Sequence, residues 1–181
     1  IESAFLKGNT KGNLIYIKAP EAITASLPEN KQLKIKIELD VDPPMDAHFE
    51  VKTLLVPIPF QVRLFKKEDL FAGKLHAILC RKWKNRVKGR DFYDFIWYVS
   101  QKISCNLSHL KARMVQTGHF KINEELNKNA LIDLLHKRFH EIDFSQAKAD
   151  VSPFVSDPDE LALWDRDFFL GLLDLLEVVV V

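Results

Sequence analysis

The sequence from Glu68 to Tyr98, EDLFAGKLHAILCRKWKNRVKGRDFYDFIWY, decides the fold of the chain. Its first half spaces apolar side chains as one face of an α-helix does, which leaves Lys74 and Arg81 together on another face. Its second half repeats a helical pattern in which Asp91 and Asp94 share one side near the N-terminus, where the helix dipole favours negative charge. The stretch therefore predicts two helices joined by a loop.

The connection between these two helices is strongly basic. Six of the ten residues from 81 to 90 are cationic and none is acidic. Together with Trp83, such a segment is typical of a loop that contacts RNA, because the cations bind phosphates and the ring stacks on a base. A charge run also occurs as an ordinary solvated loop, and Arg81 and Arg90 can instead pair with the two aspartates. The six cations are Arg81, Lys82, Lys84, Arg86, Lys88 and Arg90.

These features occur in an order that is shared with a known family. A helix with an internal Ala-Gly-Lys, a Lys/Arg-rich loop and the run Arg-Asp-Phe-Tyr-Asp follow one another in residues 68–95. This segment resembles the C-terminal motifs of the AbiEii/AbiGii toxin-type nucleotidyltransferases, a branch of the DNA polymerase β-like nucleotidyltransferase superfamily. The earlier sequence LKIKIELDVDPP, residues 33–44, resembles the strand that carries the third metal-binding carboxylate of that family.

Residues 33–44 contain the candidate metal ligands. Glu38 and Asp40 lie two apart on a predicted strand, so both carboxylates face one side and can approach one hard cation such as Mg²⁺. The same alternation also fits a solvated strand face on which Lys34 and Lys36 are their partners. The resemblance implies that Glu38 is the closer match to the third metal ligand and Asp40 the second, with Mg²⁺ as the cofactor.

The resemblance also implies roles for residues of the two helices. Lys74 would contact nucleotide phosphates and stabilise the charge that develops on the transferred group, and Asp91 or Asp94 would be the acid of the last motif, which orients that lysine or a nearby arginine. Without the resemblance, Lys74 is an ordinary surface lysine and Asp91 an ordinary helix-start acid. The further residues expected to bind nucleotide or RNA phosphates are Lys36, Arg81, Lys88 and Arg90.

The chain as a whole predicts an α+β fold, because strands precede a run of helices. With 181 residues, of which 47% are hydrophobic, it can bury a core. We expect residues 1–66 to form the remaining part of a nucleotidyltransferase-like mixed sheet, and residues 67–181 to form a helical domain with the basic loop. Strands are predicted at 14–18, 33–41, 48–55 and 58–65, and further helices at 107–118, 123–139 and 159–176.

Charge and cysteine content give weaker indications. Residues 141–177 contain ten acids, which either pack against the basic loop or remain solvated. Cys80 and Cys105 lack the spacing of a metal site, so we expect reduced thiols and a cytoplasmic location. No apolar run is long enough to span a bilayer, so no membrane partner is expected.

The main hypothesis for function follows from the resemblance. It implies the C-terminal portion of an enzyme that transfers a nucleotide from an NTP to an acceptor such as RNA, as a toxin with a separately encoded antitoxin. Residues 1–32 contain no aspartate, whereas the first motif of the family holds an aspartate pair. Because two metals usually take part in such a transfer, we expect the chain itself to be catalytically inert.

Two alternative hypotheses stay open at this stage. The first is a non-catalytic module that uses the basic loop and the helices to hold RNA or a partner protein. The second, weaker alternative is a metal-dependent nuclease that uses Lys36, Glu38 and Asp40 on one strand. Nucleotide addition, simple binding and RNA degradation would distinguish the three.

Overall fold

The computed structural model of the chain describes residues 2–5, 36–39, 42–82 and 86–181, with side chains described from residue 42 onward. The chain divides into two compact units, Ile1–Pro43 and Pro44–Val181. The predicted domain boundary, between residues 66 and 67, lies further along the chain than the boundary between these two units, and it stays a prediction.

The first unit contains one described pair of strands. Strand β1 (Glu2–Phe5) pairs antiparallel with strand β2 (Lys36–Leu39), with Glu2 opposite Leu39. The predicted strand at 33–41 is therefore confirmed over its central residues. Asp40 and the predicted strand at 14–18 lie outside the described residues.

The second unit begins with a β-hairpin. Strand β3 (Phe49–Leu54) pairs antiparallel with strand β4 (Phe60–Phe65), so that Phe49 stands opposite Phe65. The two prolines of the intervening bend cannot donate to a ladder, which ends both strands there. Both predicted strands of this region are confirmed, within two residues at either end.

Helices make up most of the rest of the second unit, and the α+β fold class is confirmed. Two short strands, β5 (Cys105–Asn106) and β6 (Val178–Val179), pair in parallel and join the C-terminal segment to the residues just before the helix Leu107–Gln116. The α-helices are α1 (Lys67–Cys80), α2 (Gly89–Ser100), α3 (Leu107–Gln116), α4 (Lys128–Glu141), α5 (Phe144–Val151) and α6 (Arg166–Gly171).

Capping side chains account for two errors in the predicted helix boundaries. Helix α4 begins at Lys128 instead of residue 123, because the side chain of Asn127 accepts a hydrogen bond from the backbone N–H of Ala130 at 3.0 Å. The single helix predicted at 159–176 is wrong, since Asp165 caps a new helix by accepting from the N–H of Phe168 at 2.8 Å. That region consists of α6 flanked by the 3₁₀ turns Pro158–Leu161 and Leu172–Leu175.

Helix α5 was not predicted, although its sequence carries a helix signal. Asp143 caps it by accepting from the backbone N–H groups of Ser145 and Gln146, and its buried residues Phe144, Ala147 and Val151 are spaced as one helical face. A 3₁₀ turn at Ser152–Phe154 follows directly.

The helices pack around a cluster of phenylalanines. Phe169 of α6 is fully buried and stacks on Phe144 of α5, with ring centroids 4.5 Å apart. Phe92 of α2 meets Phe169 edge-on at 5.4 Å. Since full burial of each phenylalanine contributes about 1.5–3 kcal/mol, this cluster fixes α2 against α5 and α6. The fully buried phenylalanines are Phe71, Phe92, Phe95, Phe139 and Phe169.

A buried polar network fixes the segment before the hairpin to α1 and α3. Asp69 of α1, which is 2% exposed, accepts from the backbone N–H of His48 and from Asn106 Nδ2, both at 2.6 Å. Asn106 also caps α3, because its Oδ1 accepts a hydrogen bond from the N–H of His109. The Nδ1–H of His109 donates to the carbonyl of Met45 at 2.7 Å. The network satisfies buried polar groups that would otherwise destabilise the fold.

Candidate functional site

The packing of α1 on α2 brings the predicted lysine next to one predicted aspartate. Phe71 and Tyr98 stack with ring centroids 4.7 Å apart and nearly parallel planes, and this contact sets the two helices side by side. Lys74 Nζ consequently lies 2.5 Å from Asp94 Oδ2. Both side chains are more than a third exposed, so the pair contributes at most about 1 kcal/mol to stability, and the lysine remains accessible to a ligand.

The second predicted aspartate has a different environment. Asp91 is 7% exposed and accepts a hydrogen bond from Arg81 Nη1. Burial raises the pKa of Asp91, while the positive charges of Arg81 and Lys74 oppose that shift. Arg81 is therefore an ion-pair partner of Asp91, which was one of its two predicted interpretations.

These residues surround a single cavity of about 450 Å³. Its volume lies within the range of about 300–1,000 Å³ that is usual for sites binding small molecules. Four cations and two carboxylates line it, and this excess of positive charge favours an anionic ligand. The lining includes Lys74, Asp91 and Asp94, and of the six cations predicted in the basic loop it includes Arg81, Lys88 and Arg90. The other lining residues are Tyr93, Val151, Phe154 and Val155.

Helix α5 completes the cavity because it is fastened to the N-terminus of α2. The N–H of Gly89 donates to Asp150 Oδ2 at 2.9 Å, and Arg86 Nε donates to Asp150 Oδ1. A Cβ atom at Gly89 would lie 1.9 Å from the carbonyl oxygen of Ala147, so only glycine allows this close approach. The acidic C-terminal third therefore does pack against the basic loop, at Asp150.

The part of the cavity formed by α5 and the turn after it was not predicted from the sequence. The ring of Phe154 is 66% exposed, and the guanidinium carbon of Arg90 lies 5.5 Å from its centroid. The hydroxyl of Tyr93 donates to Glu160 at 3.0 Å. The helical spacing of residues 144–151, ended by Pro153, was a signal that could have revealed helix α5, but not its place beside the cavity.

The predicted metal ligands belong to the first unit, in which no side chain before residue 42 is described. Glu38 and Lys36 belong to β2 in the first unit, and Asp40 lies outside the described residues. Within the described part of the chain, no group of three or more His, Cys, Asp or Glu side chains could hold a metal ion. Asp91 and Asp94 are both engaged by cations, so the cavity itself does not fit a magnesium site.

His76 lies on α1 two residues from Lys74 but does not line the cavity. Its Nε2 is 2.9 Å from the hydroxyl oxygen of Thr117. Burial lowers the pKa of His76 to about 4, with a further contribution from the positive charge of Arg113. The imidazole is therefore neutral at neutral pH and adds no charge to this region.

One protein family matches most of the chain. The family described as nucleotidyl transferase AbiEii toxin, type IV toxin–antitoxin system, matches residues 2–171, which include every residue that lines the cavity. No curated protein and no solved structure matches the chain. No helix in the described residues is long and apolar enough to cross a membrane. The chain belongs to the AbiEii family of nucleotidyl transferase toxins of type IV toxin–antitoxin systems.

Proposed function

We propose that this chain provides the triphosphate-binding portion of an enzyme that transfers a nucleotide from an NTP to a hydroxyl group of RNA. The observation that supports this proposal is the cavity, in which an accessible lysine paired with an aspartate stands among three arginine and lysine side chains. A polyanion such as a triphosphate matches that charge. The family supplies the reaction class.

In the proposed reaction, the acceptor oxygen attacks the α-phosphorus of the NTP and pyrophosphate leaves. Lys74 would bind a non-bridging phosphate oxygen and stabilise the negative charge that moves towards the leaving group. Asp94 would position Lys74, because its carboxylate lies 2.5 Å from the ammonium nitrogen. Holding the lysine in one orientation lowers the entropic cost of reaching the transition state.

Lys88 and Arg90 are suited to clamp the rest of the triphosphate. Both line the cavity, and neither forms an ion pair with another residue in the described part of the chain. Arg81 can contribute charge, but its guanidinium is already bound to Asp91. The clamp would therefore depend on Lys74, Lys88 and Arg90 more than on Arg81.

We propose Mg²⁺ as the cofactor only because of the family resemblance. Glu38, with Asp40 as the second candidate, would hold Mg²⁺, and Lys36 on the same strand would bind phosphate. The bound ion would supply charge neutralisation and lower the pKa of the attacking hydroxyl. Since residues 1–32 contain no aspartate, we expect the 181-residue chain to bind NTP without transferring it.

The family also implies partners for the proposed enzyme. A type IV toxin–antitoxin system contains an antitoxin, which we propose is a separately encoded protein. RNA is the proposed acceptor, and a cytoplasmic location follows from that choice.

The proposal is tested by incubating the product of the complete reading frame that contains residues 1–181 with α-labelled NTPs, total RNA and Mg²⁺. We expect label to appear in RNA, and Lys74→Ala to reduce the rate roughly 100-fold or more, since removing one donor to a developing charge costs about 10²–10³ in rate. Lys111→Ala, a half-buried helical lysine outside the cavity, is the matched control. Degradation of the RNA, or equal rates for both variants, would overturn the proposal.

A further inference from the structure

Part of the cavity plays no role in the proposed phosphate chemistry. Tyr93, Val151, Phe154 and Val155 line it together with the charged residues, yet none of them can attract a phosphate through charge. We infer that this wall binds the base of the nucleoside triphosphate and that Phe154 is the residue on which the base stacks. The inference rests on the proposed function, since it concerns the same cavity.

Phe154 is placed for stacking by the turn that carries it. It ends the 3₁₀ turn Ser152–Phe154, in which Pro153 fixes the backbone and the N–H of Val155 donates to the carbonyl of Ser152. With 66% of its surface exposed, the ring offers a free face to a ligand. Stacking on an exposed aromatic ring is the usual way in which proteins bind a nucleobase without reading its edges.

Arg90 links the ring to the phosphate-binding part of the cavity. Its guanidinium carbon lies 5.5 Å from the centroid of Phe154, within the distance of about 6 Å over which a cation interacts with a ring. Among the described residues, Arg90 has no carboxylate partner. A base on Phe154 would therefore have beside it a cation whose charge no described carboxylate neutralises, which matches a ligand that carries both a base and phosphates.

Tyr93 supports the wall without adding negative charge. Its hydroxyl donates to Glu160, and its ring lies 6.3 Å from that of Trp164. The hydrogen bond to Glu160 raises the pKa of Tyr93, so the phenol stays neutral. The ring is thereby held at the cavity while the carboxylate of Glu160 is occupied.

The wall is formed before any ligand arrives. Asp150, whose side chain is 4% exposed, binds both Arg86 and the N–H of Gly89, and Val151 packs in the core next to it. Helix α5 and the turn that follows are therefore fixed against the start of α2. A preformed site loses less entropy on binding than one that must be ordered.

The inference is tested by equilibrium binding of the purified 181-residue chain to each of the four ribonucleoside triphosphates and to inorganic tripolyphosphate, which has the charge but no base. We expect at least one NTP to bind more tightly than tripolyphosphate. Phe154→Leu should weaken NTP binding roughly 5- to 100-fold and leave tripolyphosphate binding unchanged, whereas Phe154→Trp should keep the affinity for NTP. Far-UV circular dichroism verifies that each variant is folded.

Trp97→Leu is the matched control, because Trp97 is an exposed ring on α2 that does not line the cavity. Unchanged NTP binding by Phe154→Leu, or an equal loss for NTP and tripolyphosphate, would overturn the inference while leaving the phosphate site in place. Failure of the wild-type chain to bind either ligand would instead overturn the proposed function. If Phe154→Leu weakened the binding of a short single-stranded RNA but not that of NTP, the wall would be assigned to the RNA acceptor and the assignment to NTP would be overturned.

Discussion

The close contact between α2 and α5 predicts a large effect of replacing Gly89 with alanine. The added Cβ would lie 1.9 Å from the carbonyl oxygen of Ala147 and 3.0 Å from Val151 Cβ, whereas real contacts of this kind are not shorter than 3.0 Å. The two helices would have to separate by about 1 Å, a distance at which packed atoms lose much of their attraction. Because the neighbour is backbone, no side chain can rotate away.

The cost of Gly89→Ala can be estimated from the contacts that it disturbs. Overpacking of this kind costs about 1–3 kcal/mol, and stretching the hydrogen bond from Gly89 N–H to the buried carboxylate of Asp150 adds about 1 kcal/mol or more. Alanine recovers up to about 1 kcal/mol of helix propensity. We therefore expect a net destabilisation of about 1–3 kcal/mol.

Urea unfolding followed by circular dichroism measures this effect as a lower midpoint at unchanged slope. Gly171→Ala is the control, since no atom beyond its chain neighbours and the nearby backbone of its own helix lies within 4 Å of the position of its Cβ, and it should unfold at the wild-type midpoint or slightly above. A Gly89→Ala protein as stable as the wild type would refute the proposed fastening of α5 to α2. It would also remove the argument that the Phe154 wall is preformed.

Two further predictions concern buried polar groups. His76 has a pKa of about 4 in the folded chain and 6.5 in the unfolded chain, so between these pH values the unfolded chain binds the extra proton. The free energy of unfolding should therefore fall as the pH drops from 6.5 to 4. His76→Gln should show a smaller fall in urea midpoint than the wild type between about pH 7 and 4.5, and an equal fall would contradict this. Asn106→Ala should destabilise the protein by about 2–4 kcal/mol, because it removes the α3 cap and one hydrogen-bond donor to Asp69. Asn127→Ala, which removes an exposed cap, is the comparison and should cost about 1 kcal/mol in the same urea assay.

The sequence was sufficient for the parts of the site that depend on local spacing. Lys74 and the aspartates of α2 lie on two regular helices, and the helical spacing of apolar residues in both is visible in the local sequence. The cap of α3 at Asn106 was predictable for the same reason. Their meeting at one cavity required only that the two helices pack through their apolar faces, which Phe71 and Tyr98 achieve.

The parts that could not be predicted depend on contacts between distant residues. The role of Gly89, for example, is set by Ala147 and Asp150, about sixty residues away. Nothing in the local sequence around Phe154 indicates that it reaches the cavity of α1 and α2. Likewise, the apolar spacing of residues 159–176 continues across a capping aspartate, Asp165, and so suggested one helix where the chain forms three short elements.

The two aspartates of α2 differ in burial, whereas the resemblance did not distinguish their roles. Asp91 is buried, and a buried carboxylate without its partner is strongly destabilising. Arg81 therefore stays paired with Asp91. The side chain of Asp94 is more than a third exposed, so a phosphate can compete for Lys74 without leaving a buried charge unpaired. Within the proposed function, Asp94 is therefore the residue that positions the lysine, and Asp91 is the residue that fixes Arg81 at the wall of the cavity.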